Sequence, residues 1–563
     1  MSRLGLVCVL AALLLGGRAQ AQDEAVDRVE TILAGMSLEQ KIGQMFLVGL
    51  YGPILTYDGA DFLREVQPGG IVVFNYNLNT PESLTQLVND WQQTITEAGG
   101  QPMLVAIDQE GGRINTLEAS PFTQFPAPML LTATGNHALA YRVGQAQSAE
   151  LSAVGIHMNL APVADLETNP DNPVIFRRAY GSDPYVVAPA ISAVVQGMRD
   201  ANMMATLKHF PGHGETNEDS HTELPSLPFT MAELEQIELL PFQAGIDAGA
   251  SAVMLGHLAL PGIDPIADRP ASLSPVIVSQ VLRRAMGFEG IVMTDALDMD
   301  AIDLNYTLPE AVVLAVEAGV DMLTTGPHMG VQTRQQAYEA LVAAVESGRI
   351  SEGRIDTSVR RILTAKVDYG VIDWEPLDPA TTLERIAAAD SATLLEEMFT
   401  SGVTLIYDTA DVLPLPQDAT VAVAYPYHRL GVLRACEAAN PAMIAVGFSN
   451  YPTPGERAAI AQVAQGVDHI VVFTQNAINK PEQAALVDAL PPEKTVVVAY
   501  WSPYDLNAFA RRPAAYLAAY SPNDEGFDAS CDVLFGLTAA RGRLPVNLAP
   551  DLLAASGLGT SRR

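Results

Sequence analysis

A short polar stretch in the middle of the chain concentrates residue types that can transfer protons. It runs from Lys208 to His221 and reads K-H-F-P-G-H-G-E-T-N-E-D-S-H. Asp219 and His221 are two positions apart, so a turning backbone can bring a carboxylate against an imidazole. Such a carboxylate fixes the tautomer of the imidazole and stabilises its charged form. The pair therefore predicts general acid/base chemistry, against the alternatives of a solvated polar loop or a metal site.

A second candidate for chemistry is Asp295, which directly follows the apolar run I-V-M-T. A carboxylate just beyond a buried strand can face the anomeric carbon of a sugar and act as a nucleophile. Aspartate also favours the N-cap of a helix, and the residues A-L-D-M come next. The residues alone favour neither interpretation, nucleophile or N-cap, over the other. Asp298 and Asp300 are nearby rivals, and both fall within the predicted following helix.

These residues need a scaffold, and the sequence predicts one by alternating short apolar runs with amphipathic helices. Strands alternating with helices of this length favour parallel βα units. Seven or eight such units in about 330 residues fit a TIM (β/α)8-type barrel, an α/β fold. The predicted strands are 70–74, 103–107, 157–162, 204–208, 252–256, 291–294 and 321–324.

Polar residues stand at or just after the predicted strands, where a barrel places its active site. Each follows an apolar run, as Asp108 follows M-L-V-A-I. Carboxylates and imidazoles placed repeatedly at strand ends predict a site at the C-terminal face of the barrel. The residues concerned are Asp108, Asn159, Asp165, Lys208, His209, His257 and Asp295.

The alternation of strands and helices breaks over residues 367–389, which predicts a domain boundary. We expect a catalytic barrel over 22–370, a linker with helices over 371–400, and a smaller α/β sandwich domain over 401–563. Apolar runs alternating with helices in the last segment favour a doubly wound sheet. That segment has no G-x-G-x-x-G after its first strand, so a dinucleotide site is not predicted.

Composition and the N-terminal residues bear on partners and location. The net charge of −33 argues against nucleic acid as a partner, because phosphate binding needs a basic surface. Arg3, the apolar run 4–15 and A-Q-A at 19–21 are typical of a cleaved signal peptide over residues 1–21. We therefore expect a periplasmic or extracellular protein with no stable membrane span. Export permits a disulfide between Cys436 and Cys531, and two free thiols are an equal alternative.

The whole polar stretch closely resembles the signature of family 3 glycoside hydrolases, in their bacterial β-N-acetylhexosaminidase branch. That signature is K-H-F-P-G-x-G, then four residues, then D-S/T-H, and every position matches here. G-R-L-P at residues 542–545 is similar to a stretch near the end of the family's second domain. The resemblance implies a TIM barrel followed by an α/β sandwich domain.

The resemblance also implies roles for individual residues. It makes Asp295 the nucleophile of a retaining mechanism, and it makes His221, paired with Asp219, the acid/base. A histidine acid/base also admits some phosphorolysis. The residues implied to bind substrate are Asp108, Arg178, Lys208 and His209.

The implied activity is removal of terminal β-linked N-acetylglucosamine from peptidoglycan fragments or chitin oligomers. No cofactor is implied, and no Cys/His spacing predicts a metal site. One rival is a β-glucosidase of the same family, whose branch generally lacks the histidine dyad. Another is a non-catalytic sugar-binding protein of the cell wall. The oligomeric state stays open.

Two positions depart from the family pattern. Thr116 stands where the family often has an arginine, three residues after the arginine of D-Q-E-G-G-R. We expect that substrate contact to be missing or to be supplied by Arg113. Ala179 and Tyr180 replace the common S-F pair after Arg178. These changes bear on fine specificity more than on the reaction.

Overall fold

The computed structural model describes residues 24–118, 120–389 and 391–559. Within these ranges the strands form an eight-stranded sheet, a six-stranded sheet and a two-stranded hairpin. The predicted fold class, a TIM-type barrel followed by a smaller α/β sandwich domain, is confirmed. The predicted signal peptide over residues 1–21 lies outside the described residues, as does Asp390 in the predicted linker.

Eight parallel strands form the barrel, and each one pairs with its neighbours along the chain. An isolated bridge between Met293 and Met322 joins the two ends of the sheet. The strand residues are almost all buried, because helices cover the outside and side chains fill the inside. The strands are β1 (Phe46–Gly49), β2 (Gly70–Val73), β3 (Leu104–Ile107), β4 (Met158–Asn159), β5 (Met204–Phe210), β6 (Ala252–Leu255), β7 (Ile291–Thr294) and β8 (Leu323–Thr325).

Helices surround the barrel, and many begin at clear sequence signals. At one of them the Thr80 side chain accepts a hydrogen bond from the N–H of Ser83, and Pro81 occupies the first turn. Val276–Ala285 is a π-helix. The α-helices are Leu38–Gln44, Tyr57–Val66, Pro81–Glu97, Pro128–Ala133, His137–Ser152, Pro184–Asp200, Met231–Gln236, Leu239–Asp247, Asp300–Asp303, Leu308–Ala318, Val331–Glu346 and Glu352–Asp368.

The sequence pattern over residues 231–248 predicts a single helix, but the structure has two, Met231–Gln236 and Leu239–Asp247. Pro241 explains the break, because proline has no N–H for the carbonyl four residues earlier and its ring collides with it. That carbonyl belongs to Ile237, where the backbone leaves helical geometry. The strand predicted over 157–162 is only two residues long, Met158–Asn159.

The second domain contains an open six-stranded sheet. Its strands are β9 (Thr404–Asp408), β10 (Val421–Pro426), β11 (Ile444–Phe448), β12 (His469–Thr474), β13 (Thr495–Ala499) and β14 (Ala515–Ala518). Their order is β9-β14-β13-β12-β10-β11, and only β9 runs antiparallel to its neighbour. Its helices are Leu430–Ala439, Pro454–Gln465, Pro481–Asp488 and Asp524–Leu534. Cys436 and Cys531 form a disulfide that joins the first and the last of these helices.

The two domains are connected by helices and by direct hydrogen bonds. Thr382–Ala387 and Ala392–Gly402 are the α-helices between the last barrel helix, Glu352–Asp368, and β9. Asn523 Nδ2 donates to the carbonyl of Gln124 at 3.1 Å, and the N–H of Asn547 donates to Ser182 Oγ at 2.8 Å. The limits of the linker at residues 371 and 400 stay predictions. No helix in the described part of the chain is long and apolar enough to cross a membrane.

Candidate active site

The C-terminal ends of the barrel strands bring the predicted site residues to one end of the barrel. Asp108 follows β3, Lys208 and His209 lie in β5, and Asp295 follows β7. A cavity of about 480 Å³ lies at the opposite end, where Ile291 begins β7. We therefore place the candidate site at the C-terminal face, where the polar side chains meet.

Lys208 is buried between two carboxylates. Its Nζ contacts Asp108 and lies 2.6 Å from Glu110 Oε1. Arg178 donates two hydrogen bonds to Glu110, from Nε to Oε2 at 2.9 Å and from Nη2 to Oε1 at 2.8 Å. Burial raises the pKa of Glu110, but Arg178 and Lys208 outweigh it and hold that pKa at about 2. The two positive charges of Lys208 and Arg178 balance the two negative charges of Asp108 and Glu110. Asp108 is the most exposed of these four side chains, at 30%.

His209 is neutral and has a fixed tautomer. Its Nδ1 lies 2.7 Å from Asp165 Oδ2, and its Nε2 lies 3.2 Å from Arg178 Nη2. Because a guanidinium can only donate, Nε2 must accept, and the ring proton therefore resides on Nδ1. Burial and then Arg178 hold the pKa of His209 well below its usual range. Asp165 thus fixes the ring beside the predicted sugar-binding residues.

Asp295 is an ionised carboxylate at the end of β7. Its Oδ1 accepts a hydrogen bond from the N–H of Ala296 at 2.7 Å. Burial raises the pKa of Asp295, but two neighbouring imidazoles, the Ala296 N–H and Lys208 together hold it below its usual value. An anionic carboxylate fixed in this way has the charge state that a nucleophile needs.

His257 supports the turn that carries Asp295. Its Nε2 donates to the carbonyl of Ala296 at 3.0 Å, and its Nδ1 accepts from Ser272 Oγ at 2.8 Å. Burial lowers the pKa of His257, so the ring is neutral. Of the two rival carboxylates, Asp298 accepts a hydrogen bond from the backbone of Gly326, and Asp300 begins a helix and is exposed. Neither rival competes with Asp295 for its position.

Asp219 and His221 form the predicted pair. His221 Nδ1 lies 2.8 Å from Asp219 Oδ1, which also accepts from the N–H of His221 at 2.9 Å. A carboxylate acceptor places the proton on Nδ1 and leaves Nε2 free to exchange one. Burial raises the pKa of Asp219, but hydrogen bonds and charge from His221 bring it below its usual value. The charge of Asp295 raises the pKa of His257, and His221 lowers it.

The loop that carries the pair is anchored at its start and again at the buried Ser220, between Asp219 and His221, where Ser220 Oγ lies 2.9 Å from His213 Nε2. The N–H of His213 donates to Asp165 Oδ1 at 2.8 Å, and Asn172 Nδ2 donates to the carbonyls of His213 and Gly214 at 2.8 and 3.0 Å. A Cβ on Gly214 would meet the carbonyl oxygen of Leu166 at 1.5 Å, so only glycine fits there. Beyond this anchor the loop has no regular secondary structure.

Arg113 does not join the charged cluster around Lys208. It is exposed and lines a cavity of about 340 Å³ that the second domain also lines. Thr116, the departure from the family pattern, hydrogen-bonds through Oγ1 to the carbonyl of Asp108 at 2.7 Å. Thr116 therefore supports the backbone of a predicted binding residue, whereas the role predicted for Arg113 as a substrate contact stays a prediction.

Sequence reasoning missed Glu110, which joins Lys208 to Arg178. A signal for it was present, because side chains two positions apart in an extended segment point the same way, and Glu110 is two positions after Asp108. The roles of His213 and Asn172 in anchoring the loop carry no such local signal. Within the described ranges, no group of three or more His, Cys, Asp or Glu side chains is arranged to hold a metal ion.

Known proteins resemble this chain in sequence and in fold. Residues 37–365 match the model of the glycosyl hydrolase family 3 N-terminal domain. The chain is 27% identical over 547 residues to "Beta-hexosaminidase A" of Pseudoalteromonas piscicida, covering 87% of this chain and 90% of that protein. It is 36% identical over 318 residues to a "Beta-hexosaminidase" of Stenotrophomonas maltophilia strain K279a, covering 54% of this chain and 92% of that protein.

The fold comparison extends over both domains. A solved family 3 β-N-acetylglucosaminidase from Paenibacillus sp. str. FPU-7 superposes with a TM-score of 0.80 and 35% sequence identity. The match covers 91% of this chain and 99% of that one. The similarity therefore includes the barrel and the sandwich domain together.

Proposed function

The chain belongs to glycosyl hydrolase family 3 and is a glycoside hydrolase, and from that premise we propose that it is a retaining exo-β-N-acetylhexosaminidase. The names of its relatives, β-hexosaminidase and β-N-acetylglucosaminidase, support this choice. The observation that carries it is the Asp219–His221 pair, with 2.8 Å between carboxylate and imidazole, on a loop that follows β5 in the same barrel whose β7 is followed by Asp295.

In the first step of the proposed mechanism, Asp295 attacks the anomeric carbon of the terminal sugar. The glycosidic C–O bond breaks as His221 donates the proton on Nε2 to the leaving oxygen. The product is a covalent glycosyl-enzyme on Asp295 and a free aglycone. Asp219 stabilises the imidazolium before the transfer and holds the neutral ring in its tautomer afterwards.

In the second step, water replaces the aglycone. His221, now neutral, accepts a proton from that water through Nε2, and the hydroxide attacks the anomeric carbon. The bond to Asp295 breaks and the sugar leaves with its β-configuration retained. One imidazole thus serves as the general acid in the first step and as the general base in the second.

The charged cluster is proposed to bind the hydroxyl groups of the sugar. Asp108 has solvent access and accepts hydrogen bonds from hydroxyls, while Lys208 and His209 complete the strand-end surface. Arg178 is already engaged with Glu110 and with His209. We therefore give Arg178 a positioning role, because its charge-assisted bonds hold the cluster that touches the sugar.

The proposed substrates are peptidoglycan fragments or chitin oligomers that end in β-linked N-acetylglucosamine. The proposed location is outside the cytoplasm, in the periplasm or the medium, because residues 1–21 are typical of a signal peptide. That location is tested by sequencing the N-terminus of the protein recovered from culture fractions, where cleavage after Ala21 is expected. An uncleaved N-terminus in the cytoplasm would refute it.

The activity is tested with the p-nitrophenyl β-glycosides of N-acetylglucosamine and of glucose, using wild type, His221→Ala and His137→Ala. His137 is exposed on an outer helix of the barrel and serves as the matched control. We expect strong preference for the acetamido sugar in wild type and in the control, and loss of turnover in His221→Ala. Preference for glucose would indicate a β-glucosidase, and no turnover of either substrate would indicate a binding protein.

A further inference from the structure

A cavity of about 340 Å³ lies between the two domains and has basic walls on the barrel side. The barrel contributes Arg113, Arg177 and Asn172, and the second domain contributes Asn476 and Trp501. Amide and guanidinium N–H groups are donors, so this wall suits a ligand that accepts hydrogen bonds.

Arg177 is the central residue of this wall. It is 5% exposed, and its guanidinium stacks on the ring of Trp501 with 3.4 Å from Cζ to the ring centroid. Stacking uses the face of the guanidinium and leaves its in-plane N–H groups available. The buried Nη1 has no hydrogen-bond partner among the described residues. A buried charged donor without a partner is costly, which points to a ligand that completes it.

Two further arginines add positive charge near Arg177. Burial, then Arg113 and Arg429, lower the pKa of Arg177 to about 9, which leaves it charged at neutral pH. Within the described part of the chain, none of these three guanidiniums forms an ion pair with a carboxylate. Burial raises the pKa of the neighbouring Glu167 carboxyl well above its usual value, which weakens this group as a counter-ion for Arg177. Asp171 also lines the cavity, but its side chain is exposed to solvent.

Arg178, the next residue in the same turn, differs from Arg177 because its guanidinium is paired with a carboxylate. It forms two hydrogen bonds to Glu110, whereas Arg177 faces the cavity with no carboxylate partner. In a chain with a net charge of −33, a local excess of unpaired arginines is a specific feature rather than a general surface property.

The cavity adjoins the base of the loop that carries the proposed acid/base. Asn172 lines the cavity and also donates to the carbonyls of His213 and Gly214, at the start of that loop. Arg177 is adjacent in sequence to Arg178, which belongs to the charged cluster proposed to bind the sugar. The cavity therefore borders both the loop of His221 and that cluster.

We propose that the cavity is an oxyanion subsite that binds a carboxylate carried by the leaving group of the substrate. This inference rests on the proposed function and selects among its substrates. In a peptidoglycan fragment without its peptide, the muramic acid residue carries a free lactyl carboxylate next to the cleaved bond, whereas a chitin oligomer carries no anion. The subsite thus makes peptide-free peptidoglycan fragments the preferred substrate class.

The test compares two disaccharides that differ only in the lactyl group: N-acetylglucosaminyl-β-1,4-N-acetylmuramic acid and N,N′-diacetylchitobiose. The readout is the ratio of their kcat/KM values in the full chain. We expect wild type to favour the carboxylated disaccharide, and Arg177→Gln to lower the ratio about tenfold to a hundredfold, as expected for hydrogen bonds to a charged group. Arg113→Gln is a second variant at an exposed position, with a smaller expected loss.

Arg284→Gln is the matched control, because Arg284 is exposed on Val276–Ala285 and has no ion pair among the described residues. We expect it to keep the wild-type ratio. A ratio near one in wild type, or a ratio unchanged in both Arg177→Gln and Arg113→Gln, would overturn the subsite. If neither disaccharide nor the p-nitrophenyl substrate is cleaved, the proposed function itself fails, which separates the two outcomes.

Inorganic phosphate is the other source of an oxyanion. We expect added phosphate to inhibit cleavage of the carboxylated disaccharide competitively and to leave chitobiose cleavage unchanged. Phosphate that accelerates cleavage of both substrates through the arginines, with N-acetylglucosamine 1-phosphate as product, would overturn the assignment to the leaving group.

Discussion

The two halves of the candidate site are held in different ways. Lys208 and Glu110, on the side of the nucleophile, have 2% and 1% of their side chains exposed, and each has at least two charged or hydrogen-bonded partners. His221 and Asp219 are 61% and 36% exposed and rely mainly on each other. In the proposed mechanism the buried half is preorganised to bind the sugar, and the exposed half lies on the loop that would bring the acid/base to the leaving group.

Removing the nucleophile is expected to have the largest effect. Asp295→Asn should lower kcat at least about 10⁴-fold, because no other group in the buried half is placed to form the covalent intermediate. The measurement is hydrolysis of p-nitrophenyl β-N-acetylglucosaminide, with circular dichroism to check folding. Asp300→Asn, at an exposed carboxylate nearby, should stay near wild type. Activity retained in Asp295→Asn would remove this residue from the mechanism.

Removing the acid/base is expected to rank second. His221→Ala should lower kcat by about 10²- to 10⁴-fold for substrates with poor leaving groups. The loss should shrink for aryl leaving groups of low pKa, since these need no protonation to depart. The measurement is a series of substituted phenyl β-N-acetylglucosaminides, compared between wild type and variant. Equal losses across the series would assign His221 to binding and would weaken the contrast between the two halves.

Removing only the partner of the histidine is expected to have a smaller effect. Asp219→Asn should lower kcat about 10- to 100-fold, because the ring keeps Nε2 but loses the group that orients it and stabilises its charge. KM for the p-nitrophenyl substrate should change little, because the buried half binds the sugar. A rise in KM with unchanged kcat would place Asp219 in substrate binding.

The buried half is expected to respond in stability more than in catalysis. The pKa of Glu110 is lowered from 4.5 to about 2 in the folded protein, which corresponds to ~3 kcal/mol at ~1.4 kcal/mol per pKa unit. A lowered folded pKa stabilises the protein above the unfolded value, and the contribution is lost as the pH falls from 4.5 towards 2. Glu110→Gln should therefore be less stable by about 3 kcal/mol at pH 7.

Urea unfolding at pH 7 and at pH 3 measures this difference. The gap between wild type and Glu110→Gln should fall to less than half at pH 3, because wild type then loses most of the contribution. Glu235→Gln, at an exposed position, is the control and should match wild type at both pH values. A gap that does not depend on pH would mean that packing, not charge, stabilises this cluster.

The features that could be predicted from the sequence are those that depend on local interactions. The alternation of strands and helices predicted the barrel, and strand periodicity placed Asp108, Lys208 and Asp295 at its C-terminal face. The pairing of Asp219 with His221 was predictable because the two residues are neighbours in sequence. The break at Pro241 had a local cause as well, but its position depends on a single residue inside an otherwise helical pattern.

What could not be predicted depends on contacts between distant segments. Asn172 anchors the loop of His213 from more than 40 positions away. Neither stretch contains a sequence pattern that predicts this contact. Arg177 and Arg178 are the same residue type in sequence, and only the fold turns one towards Glu110 and the other towards Trp501. The pairing of Cys436 with Cys531 was likewise undetermined until the two helices were seen side by side.

That disulfide has a consequence for resistance to proteolysis. It closes a segment in which the two cysteines are 95 positions apart and which contains four of the six strands of the second domain, β11 to β14. A protease that cuts one exposed loop inside this segment leaves two pieces that remain covalently joined. Release of a fragment then requires either reduction of the disulfide or a second cut elsewhere in the chain.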